Sequence, residues 1–158
     1  MTQSTDKVPK LDDQICFAFY SASRAITARY RELLAPLEVT YPQYLVLMVL
    51  WETDSITVSE LGDRLQLDSG TLSPLLRRME KAGLVTRSRR SEDERIVQVS
   101  LTAHGGGLRL LSVGVPELVC DSTGLPLGEL QRLTGQVTAI AARARLPLAP
   151  GSVSTRIR

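Results

Sequence analysis

Few residues in this chain can do chemistry: Cys16 and Cys120, one histidine at His104, and four tyrosines, Tyr20, Tyr30, Tyr41 and Tyr44. Three of the phenols follow Cys16 within about the next 25 positions. A thiol is a nucleophile only as its thiolate, and phenols are donors suited to such an anion. This grouping points to a thiol that reacts and reports. The residues alone leave two alternatives open, a buried and inert cysteine and a peroxide-consuming thiol enzyme. The enzyme would need a strand-rich core around its cysteine, and the pattern there is helical. The two cysteines form no Cys-x-x-Cys pair and no Cys/His cluster, so neither a metal site nor a cofactor is expected.

A second constellation is basic. Between residues 69 and 90 stand Arg77, Arg78, Lys81, Arg87, Arg89 and Arg90, against the one acid Glu80. The whole chain carries a net charge of only +2, so affinity for a nucleic acid must come from such local clustering. A merely solvated basic face is the alternative. The run His104-Gly105-Gly106-Gly107 looks like the oxyanion loop of some esterases. No Gly-x-Ser-x-Gly accompanies it, and the lone histidine is already inside it, so a hydrolase triad is not supported. The sequence offers no reason for three consecutive glycines.

The elements that must position these residues are mostly helical. The 158 residues, 43% hydrophobic, suffice for one domain or for a DNA-binding module with dimerisation arms. The first residues lack the apolar stretch of a signal peptide, and the longest apolar run, 44–51, is far too short to span a bilayer. A cytoplasmic protein without membrane partners is expected, in a compartment where a free thiol can report oxidation.

Residues 1–9 and 146–158 lack periodicity and read as disordered. A long helix is predicted over 11–34, capped by Asp12 or Asp13 and stopped by Pro36. Pro42 suits the first turn of a second helix reaching about residue 53. Residues 57–66 form a short amphipathic helix with Leu61 and Leu65 inward. Asp68 or Ser69 caps the next, which Gly83 ends. In that helix Leu72, Leu75, Leu76 and Met79 share an arc of about 100°. Gly70, Ser73, Pro74, Arg77 and Lys81 take the other side, and Pro74 lies deep enough to make the helix start irregular. Residues 85–89 and 95–101 read as strands flanking a polar turn at 90–94. Helices follow over 102–119 and 127–145, separated by a break at 121–126.

This order is that of a winged helix-turn-helix. Ser69, Gly70, Thr71 and Ser73 would approach phosphates near a helix N-terminus, and Arg77, Arg78 and Lys81 would neutralise phosphates or read guanine edges. Arg87, Arg89, Arg90 and Arg95 on the hairpin would reach a neighbouring minor groove.

The stretch DRLQLDSGTLSPLLRRMEKAGLVTRSRRSEDERIVQVSLTAHG, with Asp93-x-Arg95 followed by Leu101-Thr102, resembles the MarR family of winged-helix repressors. The resemblance implies a mainly α fold with a small β-hairpin and a winged helix-turn-helix DNA-binding domain over 36–101. It further implies dimerisation helices over 10–35 and 102–145, interlocked in a homodimer on an inverted repeat of double-stranded DNA. Cys16-Phe17, Tyr20, Tyr30 and the run Thr40-Tyr41-Pro42-Gln43-Tyr44-Leu45 are similar to the OhrR branch, which responds to organic hydroperoxides. That similarity implies a redox-sensing Cys16, hydrogen bonds to it from Tyr30 and Tyr41, and either Cys120 of the other chain or a small thiol to resolve the oxidised sulfur.

Helix geometry adds an independent constraint. Fourteen residues of continuous helix separate Cys16 from Tyr30 by about 21 Å, so that phenol must come from a partner chain. The helix dipole favours a thiolate at Cys16, while Asp12 and Asp13 oppose it. A family member released by a phenolic or aromatic ligand, without need of Cys16, is the competing function.

Overall fold

The computed structural model describes residues 10–90 and 93–147, with the side chains of residues 90 and 93–95 also outside the description. The disorder expected for 1–9 and for most of 146–158 lies outside the described residues. The elements are α1 (Ile15–Leu34), α2 (Tyr41–Glu52), β1 (Ile56–Thr57), α3 (Val58–Leu65), α4 (Ser69–Lys81), β2 (Val85–Arg90), β3 (Asp93–Leu101), α5 (Ala103–Leu111), α6 (Val115–Ser122) and α7 (Leu127–Ala144). Among the described residues, those up to Val119 form one compact unit, and those from Cys120 a second. Among the described residues no single helix is long and apolar enough to cross a membrane.

The first unit is built around α2. Its sequence is apolar on all sides, which suits a helix surrounded by others, and Tyr44, Val46, Leu47, Val49 and Leu50 are buried. The core continues through Leu34, Leu61, Leu72, Leu75, Leu76, Met79, Leu84, Val85, Val99 and Leu108. Thr40 and Gln43 make a capping box at the start of α2, with Pro42 in the first turn. The sheet is antiparallel in the order β1-β3-β2, with Ile56 opposite Val99 and Arg87 opposite that same residue from the other side. The two-residue strand β1 is absent from the sequence reading. It is held by long-range bonds: Leu101 N–H to Asp54 Oδ1 at 2.9 Å and Gln98 Nε2 to the Ser55 carbonyl at 2.6 Å.

Three expectations need correction. Asp12 and Asp13 do not cap α1: they lie in a separate 3-10 turn, Leu11–Asp13, closed by Gln14 N–H on the Leu11 carbonyl at 3.0 Å. Gln14 takes the cap position with extended backbone, so Cys16 is the second residue of α1. The helix expected over 102–119 breaks into α5 and α6 at Ser112. Pro116 has no N–H for the Ser112 carbonyl, which accepts instead from Val115 N–H at 3.0 Å, and Gly114 favours the break. The start of α4 is regular despite Pro74, because Asp68 caps it firmly and the proline sacrifices only the bond to Gly70.

In the second unit α7 buries none of its side chains, and Leu127, Leu133 and Ile140 are exposed. The turn before it closes with Thr123 Oγ1 donating to the Cys120 carbonyl at 2.7 Å. Gly124 follows at a φ of 69°, the left-handed conformation that glycine adopts freely.

Candidate DNA interface and thiol–phenol site

Helices α3 and α4 form a tight pair. Thr57 Oγ1 accepts from Glu60 N–H at 3.1 Å while the Glu60 carboxylate accepts from Thr57 N–H at 2.8 Å. The chain reverses after α3 through Gln66 at a φ of 57°, with Leu67 N–H on the Gly62 carbonyl. A Cβ at Gly62 would meet the Leu67 carbonyl oxygen at 2.9 Å, so a side chain there would open the turn. Asp68 then caps α4, accepting from Thr71 N–H at 2.8 Å and Thr71 Oγ1 at 3.0 Å. Those bonds favour its charged form and hold its carboxyl below the usual range.

Burial of Leu72, Leu75, Leu76 and Met79 fixes the rotation of α4, each side chain contributing about 1.5–3 kcal/mol. The opposite side presents Ser69, Gly70, Thr71, Arg77, Arg78 and Lys81 to solvent, with Ser73 half-buried. Arg77 and Lys81 make no ion pair among the described residues. Arg89 is exposed on β2, and the side chains of Arg90 and Arg95 lie outside the described residues.

Arg87 is placed differently. It shares the face of β2 with buried Val85, two residues earlier, and turns onto α4. Its Nε and Nη2 donate to Glu80 Oε2 at 2.9 and 2.6 Å. These bonds hold the Glu80 carboxyl below its ordinary value of 4.5, against a smaller opposing effect of desolvation. A depressed carboxylate contributes its share of stability above that ordinary value and loses it as pH falls through the depressed one.

The thiol and phenols separate cleanly. Cys16 is exposed at the N-terminal end of α1, among the exposed side chains of Leu11, Ile15 and Tyr20. Tyr20, one turn further along α1, accepts from Arg24 Nη1 at 2.9 Å. Tyr30 lies about 21 Å further along the same unbroken helix, so one chain does not bring the two together. Tyr30 and Tyr41 are brought together, with ring centroids 4.5 Å apart. The stack extends to Tyr44 at 6.0 Å and thence to Trp51 at 5.8 Å, two rings to which the sequence assigned no role at the site. Trp51 Nε1 donates to the Gly105 carbonyl at 3.0 Å, tying the stack to the start of α5. Burial raises Tyr41 above its ordinary 10.0, keeping that phenol protonated and able to donate. Cys120 is half-buried near the end of α6, in the second unit.

Comparison with known proteins adds the following. The model of the MarR family matches residues 39–97. The organic hydroperoxide resistance transcriptional regulator of Bacillus subtilis (strain 168) is 51% identical over 107 residues, spanning 68% of this chain and 73% of that protein. Reduced AbfR bound to DNA has a TM-score of 0.69 and 33% identity, covering 85% of this chain and 94% of that one. AbfR, a protein of Staphylococcus epidermidis, is also known in a disulfide form, with a TM-score of 0.58, 32% identity and coverage of 83% and 92%.

Proposed function

The chain belongs to the MarR family of transcriptional regulators as an OhrR-like member, and from that premise we propose a homodimeric repressor that holds an inverted-repeat operator while Cys16 is reduced and leaves it when an organic hydroperoxide oxidises Cys16. The observation that carries this reading is the separation just described. An exposed thiol at one end of α1 and a paired set of phenols toward the other become one site only when two copies of α1 run antiparallel. A two-fold dimer then makes two identical sites. The surface supports that assembly. Among the described residues, every large apolar side chain left exposed lies at or before Ile26 or at or beyond Leu110, outside the segment 36–101 assigned to DNA binding.

In the chemical step the Cys16 thiolate attacks the terminal hydroperoxide oxygen. An S–O bond forms, the O–O bond breaks, and the alkoxide leaves as the alcohol after taking a proton. The sulfur becomes a sulfenic acid, which condenses with a second thiol to give a disulfide and water. Cys120 of the partner is our choice for that thiol, and AbfR in its reduced, DNA-bound and disulfide forms supports such a two-state scheme. After stoichiometric organic peroxide, non-reducing electrophoresis should show a covalent dimer that is absent from both Cys16→Ser and Cys120→Ser. A covalent dimer persisting without Cys120 would remove it from the scheme.

On DNA, the exposed side of α4 enters the major groove, with Arg77 and Lys81 on phosphates or guanine edges. Footprinting should protect two half-sites with centres about 34 Å apart. Arg77→Ala should weaken binding by about 1–3 kcal/mol for each guanine it no longer reads. Protection of one asymmetric half-site by a monomer would overturn the dimer reading, and unchanged affinity would remove Arg77 from the interface.

One observation favours the competing function. A hollow of about 230 Å³ lined by Tyr44, Met48, Trp51, Glu52 and Arg109 has the aromatic walls, and in Glu52 the hydrogen-bond acceptor, that suit a phenolic or aromatic ligand. Such a ligand would release DNA equally from protein lacking Cys16.

A further inference from the structure

The basic residues of the wing do not all serve one purpose, and Arg87 separates from the rest. Of the three ion pairs among the described residues, only Glu80–Arg87 joins α4 to the sheet. It is also the least exposed: its side chains are 27% and 39% accessible, against 43–65% in the other two. Partial burial reduces screening by water and salt, so this pair outweighs an ordinary surface bridge. Two guanidinium nitrogens converge on one carboxylate oxygen, which fixes direction as well as distance. Glu80 stands in the last turns of α4, and Arg87 is the third residue of β2, opposite Val99 at the centre of the sheet. Arg87 also walls a hollow of about 400 Å³ between α3, α4 and β3, where Ser73, Leu76 and Val97 leave a gap. Packing alone therefore does not set the angle between wing and helix there.

We propose that Glu80 and Arg87 are a positioning pair that sets the pitch of the wing against the recognition helix, and that Arg87 supports operator binding without touching a phosphate. This rests on the DNA-binding reading above. The pair makes an unusual demand, because removing an acid from a DNA-facing helix ordinarily strengthens binding to a polyanion. Here Glu80→Ala should weaken it, by about three- to tenfold.

The test measures operator affinity against salt concentration for the reduced, full-length protein and four variants: Glu80→Ala, Glu80→Gln, Arg87→Lys and the exchange Glu80→Arg with Arg87→Glu. The first three should bind more weakly with the salt slope of the parent, and the exchange should regain most of the loss. A Glu80→Ala or Glu80→Gln protein binding as tightly as the parent, or more tightly, overturns the proposal. So does an Arg87 variant whose slope falls by about 1 per chain, the mark of a phosphate no longer neutralised. The conservative variants decide the same question should the alanine fail to fold. Failure of the unaltered protein to bind any operator would sink the operator-binding reading itself, and is seen in the same titration before any variant.

Discussion

Cys16→Ser should bind the operator within about twofold of the parent and show no release by organic hydroperoxide. The first half follows from placement. Cys16 is the second residue of α1, outside the segment assigned to DNA binding, and serine nearly preserves its volume at the site it would share with the partner's phenols. The second half follows from the chemistry. A serine hydroxyl is not ionised near neutral pH and cannot take the peroxide oxygen to form a sulfenic acid. The measurement is a gel-shift or anisotropy titration with cumene hydroperoxide, run on parent and variant side by side. Release of the variant at the parent's peroxide concentration would show that the sensor is elsewhere. Release of both by a phenolic or aromatic ligand alone would favour the competing function, for which the hollow beside Trp51 is the candidate site.

The recognition unit was legible because its local signals agree with its packing. Asp68 as cap, Gly83 as stop and the leucine arc of α4 each say the same thing, and each is found. The distance from Cys16 to Tyr30 was equally legible, since the rise per residue alone forbids a contact within one helix. Of what failed, one element was decided at long range and one by a competing local turn. Strand β1 is two residues long and is held by the bonds of Asp54 to Leu101 and of Ser55 to Gln98, each joining residues more than 40 positions apart. Asp12 and Asp13 are good capping residues that a 3-10 turn displaced from the cap position. Two signals were present but unread. Strand alternation puts Arg87 on the face of Val85, which separates it from Arg77 and Lys81. The seven-residue spacing of Tyr44 and Trp51 puts both on one face of α2, where they extend the tyrosine pair.

The run of three glycines, opaque in the sequence, resolves into one demand and two indifferent positions, and so into an expected result. Gly105→Ala should destabilise the protein by about 3 kcal/mol or more, a large part of the 5–15 kcal/mol that holds a typical domain folded. A Cβ there would stand 2.1 Å from the Leu84 carbonyl oxygen and 3.0 Å from its carbon, contact with backbone rather than with a side chain that can turn away. That carbonyl is itself pinned, accepting from Thr102 N–H at 3.2 Å and Thr102 Oγ1 at 3.1 Å. Gly105 is pinned too, its N–H on Thr102 Oγ1 at 3.0 Å and its carbonyl under the Trp51 indole. Relief therefore requires parting α5 from Leu84, the residue between the turn that ends α4 and the start of β2. Gly106 and Gly107 face open space inside the same helix, so alanine at either should stabilise by about 0.5–1 kcal/mol through helix propensity. Urea unfolding of the three single variants decides the matter. If Gly105→Ala unfolds with the midpoint of Gly106→Ala, the close approach of α5 to Leu84 is not a feature of the folded protein. If it stays folded with the expected loss, its affinity for the operator should fall as well, because the displaced Leu84 continues directly from the turn that ends α4.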